Sequence, residues 1–314
     1  MTADNESILA EIDPDLREHI SRRAGVTRAG FMTAGLAFGS VPVALAAFSR
    51  AAGAQTSSVT DVLNFALMLE IFENEFYKSV LGTSAVAAQN AAFATVRTAA
   101  AGVTGAVPAL QIIQRHEQQH VAFLLANGAT NVLGLTGSSF DFTGNRSTAG
   151  GGPFAAAGTS LPFLLAVAQA AEDTGVRAYK GQAGFLMGNS VVLEAALRIH
   201  AVEARHAAKI RRMRRAAGGA PSQVRYAGYI QGEGLMAAGV SNLLNPAAAV
   251  TATFAAVYAG EGNTTHGGVN VGRLPNIPSD IDLASAATMA FDEPLTKAQV
   301  ISIVQPFFIP TVPS

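Results

Sequence analysis

The sequence contains no cysteine and no tryptophan. The missing thiols exclude disulfides, cysteine nucleophiles and thiolate metal sites, so any metal ion would have to be held by carboxylate, imidazole and water. That donor set suits a hard or borderline cation such as iron or manganese. Charge of one sign is lacking too: 21 Lys and Arg against 22 Asp and Glu give a formal charge of −1 over 314 residues. No basic stretch alternates with aromatics, so the electrostatic footprint of nucleic-acid binding is absent. Charged residues make up only 14% of the chain and apolar ones 49%. This balance excludes disorder for most of the length and supports one or two globular domains. Nor is there a phosphate-cradling glycine loop, a dinucleotide fingerprint or a nucleophile elbow.

The amino terminus reads as an address rather than as fold. Ser21-Arg22-Arg23 precedes an apolar run from Phe31 to Phe48, and Ala52-Gly53-Ala54 follows with small residues where a signal peptidase needs them. Residues 1–54 are therefore expected to be an export signal of the twin-arginine type, although Ala24-Gly25-Val26 departs from that pathway's phenylalanine spacing. The competing reading is an uncleaved anchor helix. Gly35, Gly39, Pro42 and a run near the lower limit for a span weigh against it. Removing residues 1–54 leaves 16 basic and 16 acidic side chains. The mature chain is then formally neutral, has no other stretch able to span a bilayer, and is expected in the periplasm or outside the cell.

Beyond the signal, the apolar pattern is helical. Val62, Leu63, Ala66, Leu69, Phe72, Phe76 and Val80 recur at three and four residues, predicting a first helix over Val59 to Val80. Residues 83–106 are alanine-rich, with Gly102 and Gly105, and read as a short helix and a turn. Pro108 suits the first turn of a second helix that runs to Asn127-Gly128. Residues 128–159 are dense in Gly, Ser, Thr and Asn and form a long connection. Ser160 and Pro162 start a third helix that lasts to Met187-Gly188, and Asn189-Ser190 caps a fourth that ends near Gly218-Gly219. Lys209, Arg211, Arg212, Arg214 and Arg215 in its last turns read as a solvated helix end that complements the macrodipole. Four helices with one long connection between the second and third predict an all-α four-helix bundle over residues 55–218, with those two helices parallel. Residues 219–314 read as an extension packed on it. It has helical segments at Val224–Leu244 and Pro246–Tyr258, a glycine-rich loop at 260–268 and a capped helix at Thr296–Val304 before Pro306.

The residues that point to chemistry recur. The second helix carries Glu117-Gln118-Gln119-His120 and the fourth Glu203-Ala204-Arg205-His206. Each places a carboxylate and an imidazole on one helical face, a turn apart. For a chain of this composition, chance predicts about 0.2 such matches. The first and third helices correspond as well, through Glu70 with Tyr77-Lys78 and Glu172 with Tyr179-Lys180. The halves look like diverged copies of one helical hairpin. Four carboxylates offset the four positive charges of two divalent ions, and two imidazoles supply one nitrogen to each. Without metal the converging carboxylates would have to take up protons.

These residues resemble the ferritin-like superfamily of di-iron and di-manganese carboxylate proteins, which includes ferritins, bacterioferritins, rubrerythrins and manganese catalases. The segment Leu63-Asn64-Phe65-Ala66-Leu67-Met68-Leu69-Glu70, followed by Phe76-Tyr77, is similar in particular to exported ferritin-like proteins related to plant desiccation-associated proteins. The resemblance implies two metal ions, iron first and manganese as the alternative. It makes Glu70 and Glu172 terminal ligands, Glu117 and Glu203 bridging ligands, and His120 and His206 one ligand to each ion. The separation of Glu70 from Glu117 is longer than in ferritins, and the carboxy-terminal extension would block the surfaces that build hollow shells. Cage-type iron storage is therefore not expected, whereas a smaller homo-oligomer is compatible.

Neighbouring residues have plainer expected roles. Glu73, one turn from Glu70, corresponds to Gly175 in the other half and is read as a supporting or surface residue rather than a ligand. Tyr77 and Tyr179 are expected to pack in the core with their hydroxyls satisfied. Gln169 is a candidate to support Glu172 by a hydrogen bond, and His200 to lean towards the site. His116 points about 100° away from Glu117 and is expected at the surface. His266, in the glycine-rich loop with Glu261, is expected to be structural. Three functions follow: a di-iron oxidase acting on Fe(II), oxygen or hydrogen peroxide; a manganese catalase; or a stress-protective protein in which metal only staples the bundle.

Overall fold

The computed structural model describes residues 58–217, 248–273 and 290–313. The expected export signal lies outside the described residues, as does the Val224–Leu244 segment.

Helix α1 spans Val59–Leu81. It begins where Ser58 and Asp61 form a capping box, the Asp61 amide donating to the Ser58 hydroxyl at 3.1 Å and the Ser58 amide to the Asp61 carboxylate at 3.0 Å. It stops at Gly82, whose φ of +79° lets the chain turn and return its N–H to the last helical carbonyls. The 83–106 segment holds two short helices, α2 (Ala87–Ala92) and α3 (Ala94–Ala101), where one was expected. Helix α4 runs Ala106–Ala126 and α6 Ser190–Ala216, each close to its expected limits, whereas α5 runs Leu161–Ala183 and gives way to a 3-10 turn over Gly184–Leu186 before the expected Met187. Asn189 caps α6 by accepting from the Val192 amide at 3.2 Å.

Pairings across the bundle set the helix directions. Asn74 of α1 accepts from Gln114 of α4, while Glu70 meets His120, so α1 and α4 are antiparallel. Tyr77 meets Glu172 and Tyr179 meets Glu70, so α1 and α5 are antiparallel too. Helices α4 and α5 consequently run parallel, as a single long crossover requires.

That crossover is ordered. Buried Asp141 gathers it by accepting from the amides of Thr143, Asn145 and Ser147 at 2.9–3.1 Å. Phe140 and Phe142 pack on Phe72 of α1 together with Phe307 and Phe308 from the carboxy-terminal segment, with ring centroids 5.6–5.9 Å from Phe72. Phe140 and Phe308 also share an isolated backbone bridge.

The extension contributes helix α7 (Ala248–Val257) and helix α8 (Lys297–Val304), the latter capped by Thr296. Between them the glycine-rich stretch carries a two-stranded hairpin, β1 (Thr265–His266) and β2 (Val269–Asn270), a small departure from an all-helical chain. Both helices pack on α5. Arg177 of α5, 1% exposed, fastens them by donating to the carbonyls of Val257, Ala259 and Glu293. Gly181 allows the closest approach, since a Cβ there would lie 1.9 Å from the Leu295 carbonyl oxygen. Among the described residues no helix is long and apolar enough to cross a membrane.

The basic end of α6 is not wholly solvated. Arg214 is 3% exposed and donates to Gln169, and Arg211 pairs with Asp173 at 2.5 Å. Both point at α5, whose Asp173 and Gln169 supply acceptors that a reading of α6 alone does not reveal.

Candidate metal centre

The paired helices bring Glu70, Glu117, His120, Glu172, Glu203 and His206 to the bundle axis. The three-residue spacing on α4 and on α6 aligns each Glu with its His, while α1 and α5 each contribute one Glu from opposite sides. All six are buried, and Glu117, Glu172 and Glu203 are 0% exposed. Their ligand atoms form two groups, Glu70, Glu117, His120 and Glu203, then Glu117, Glu172, Glu203 and His206. Glu117 and Glu203 belong to both, which relates the groups by an approximate two-fold axis.

Distances within each group suit a cation. His120 Nδ1 lies 3.0 Å from Glu70 Oε2, 3.1 Å from Glu117 Oε2 and 3.2 Å from Glu203 Oε1. His206 Nδ1 lies 2.9 Å from Glu117 Oε1, 3.1 Å from Glu172 Oε2 and 3.5 Å from Glu203 Oε2. A ring nitrogen carries at most one proton and cannot serve three acceptors. Donors set at right angles around an ion at about 2.1 Å are themselves about 3 Å apart. Glu117 Oε1 and both oxygens of Glu203 are buried without a hydrogen bond. Such orphaned oxygens are costly unless a cation satisfies them. The donors therefore fit two ions of the hard or borderline kind.

Protons hold the cluster together without metal. Burial, helped by the charge of Glu203 and opposed by His120, pushes Glu70 up to about 8. Burial also raises Glu172 well above the usual range, with His206 opposing it. For His120, burial acts downward, but the adjacent carboxylates of Glu117, Glu203 and Glu70 prevail and push it up to about 12. His206 is raised in the same way against its burial. Burial alone would raise Glu203, yet the two imidazoles beside it bring it down to about 2. The metal-free cluster is thus a carboxylate between imidazolium ions, flanked by neutral acids.

The two tyrosines occupy matching places. Tyr179 donates its hydroxyl to Glu70 Oε1 at 2.6 Å, and Tyr77 donates to Glu172 Oε1. Each hydroxyl is satisfied by the terminal carboxylate of the opposite hairpin. Burial first, and the carboxylates next, keep both phenols protonated as donors. Glu73 is not at the surface: it is 3% exposed, held protonated by burial and by the charges of Glu203, Glu172 and Glu117. It belongs to neither ligand group. Its carboxylate packs against Gly175, where a Cβ would lie 3.4 Å from Glu73 Oε1.

Three neighbours sit elsewhere than expected. His116 is not a free surface residue: its Nδ1 lies 2.9 Å from His206 Nε2 and the rings stack at 5.2 Å. Burial and the charge of His206 lower its pKa, so neutral His116 can accept from His206 and orient that ring. The available signal was its spacing of four from His120, which puts the two on one face. Gln169 does not support Glu172. It faces the far side of α5, donating to Asp173 and to the Tyr258 hydroxyl at 3.2 Å. His200 turns away too, its Nδ1 lying 2.9 Å from the Val176 carbonyl oxygen. His266 stacks on Phe291 at 3.8 Å, outside the cluster.

Comparison with known proteins agrees with this geometry. The family profile described as a ferritin-like domain matches residues 58–216, half of the chain. No curated protein and no solved structure gives a significant match.

Proposed function

Because the chain belongs to the ferritin-like domain family, we propose that its buried cluster holds two redox-active metal ions, iron first and manganese as the alternative, and that it oxidises Fe(II) or consumes oxygen or hydrogen peroxide. The single observation that carries this reading is the sharing of Glu117 and Glu203 between the two ligand groups. Two ions held by shared carboxylates would supply paired one-electron redox changes at adjacent centres. The protein supplies the rest. Glu70, His120, Glu172 and His206 complete the two donor sets, and Tyr77 and Tyr179 hold a proton against each terminal carboxylate so that it keeps its orientation. Apolar side chains of α1 and α5 exclude bulk water.

Oxygen and nitrogen donors accept both iron and manganese, so the metal must be measured. Anomalous scattering across both edges on protein from its native host, with oxygen- and peroxide-consumption assays, tests the reading. Two ions and turnover that disappears in folded Glu117→Ala and His120→Ala variants support it. Turnover unchanged in those variants overturns it. Loss of melting temperature with no turnover in the wild type would instead favour the stress-protective staple. We further propose that residues 1–54 direct export to the periplasm or beyond; the intact mass of the mature protein tests this.

A further inference from the structure

A second concavity lies beside the metal cluster and is not used by it. Between the first turns of α1, the end of α4, the end of α5 and the start of α6 is a cavity of about 320 Å³, walled by Leu63, Leu69, Phe123, Ile199 and the ring of Tyr179. Its size falls within the range of small-molecule sites, about 300–1,000 Å³. One of its polar lining residues is both buried and uncommitted. Gln182 lines the cavity and is 5% exposed, and its side-chain amide is used by no other described residue. The charges at the mouth, Glu194 and Arg198, pair with each other in solvent. Apolar walls would strip hydration from a charged guest, whereas the Gln182 amide, which no described residue engages, can hydrogen bond an uncharged one.

We infer that this cavity binds an uncharged organic molecule with an apolar body and a single carbonyl or hydroxyl, which Gln182 engages. The guest lies against the ring of Tyr179, whose hydroxyl donates to Glu70 at 2.6 Å, one side chain from the metal ligands. Binding itself does not depend on the redox reading, so the two can fail separately.

The test is a fluorescence titration of the full chain with prodan, an uncharged naphthalene bearing one carbonyl. The absence of tryptophan leaves the probe's excitation clear of protein emission. Saturable, blue-shifted binding at one site is expected. It should be lost in Ala195→Phe, which fills the cavity, and in the milder Ala195→Leu if the larger residue disturbs the helix; helical melting identifies the variant to be read. Gln182→Leu should weaken binding roughly three- to tenfold, as loss of one neutral hydrogen bond does. The inference is overturned if the wild type binds no probe saturably, as it would with a second copy of the chain covering the mouth. It is also overturned if a folded plugged variant binds equally well, or if Gln182→Leu binds as tightly as wild type because water alone serves the amide.

Discussion

Metal binding to this cluster should displace protons, and the number follows from the site. At pH 7 the metal-free protein keeps His120 protonated, its pKa pushed up to about 12, and Glu70 mostly protonated, its pKa pushed up to about 8. The second group retains protons on His206 and Glu172, both raised. Each ion must therefore displace about two protons, so its affinity should rise about 100-fold per pH unit below pH 8, or about 2.7 kcal/mol. Above pH 8 Glu70 is already ionised and the slope for the first ion drops to about one proton. Stability carries the opposite signature without metal. Glu70 and His120 bind protons in the folded state that the unfolded chain has released, so metal-free stability falls as pH climbs from about 4.5, the unfolded glutamate value, towards 12. Saturating metal removes that slope above about pH 6.5, because the gain in affinity with pH offsets the loss of metal-free stability; stability then falls only at lower pH, where the unfolded histidines and glutamates take up protons. Titration with Mn(II) in weakly buffered indicator solution counts the protons, and chelator competition from pH 6 to 9 gives the slope. A slope near zero, or fewer than one proton per ion, would refute the protonated cluster and the metal-ligand reasoning with it.

Tyr179→Phe and Tyr77→Phe should each destabilise the metal-free protein by about 1–3 kcal/mol, since each leaves a buried carboxyl without its donor. Urea unfolding should find the two effects similar; a large inequality would deny the two-fold relation of the halves. Arg177→Met strands the buried Val257 carbonyl and two part-buried ones and should cost about 2–4 kcal/mol, with limited proteolysis cutting near residues 257–293 before the bundle; unchanged protease resistance would show that the guanidinium is not the clamp. Gly181→Ala improves helix propensity by about 1 kcal/mol, yet its Cβ would sit 1.9 Å from the Leu295 oxygen. Thermal melting should show net destabilisation, and a raised melting temperature would contradict the contact.

The sequence by itself determined the helices of the bundle and the six donors, because both depend on short-range periodicity. Ser58 and Asn189 act on residues three positions away, and Glu-x-x-His puts its two groups on one face in any helix. A repeated spacing is a local property and can be read along one dimension. Tertiary structure alone decided which other side of each helix meets which neighbour. Gln169 and His200 stand at spacings that look suitable, but α5 and α6 turn them to other partners. His116 looks free on α4 until α6 brings His206 to 2.9 Å. Arg211 and Arg214 resemble a solvated helix end until Asp173 and Gln169 face them. Glu73 reads as a supporting or surface residue until α5 brings Gly175, about a hundred residues later, against its buried carboxylate. Each of these outcomes depends on packing between segments far apart in the chain, where rotation about a helix axis, rather than sequence spacing, chooses the partner.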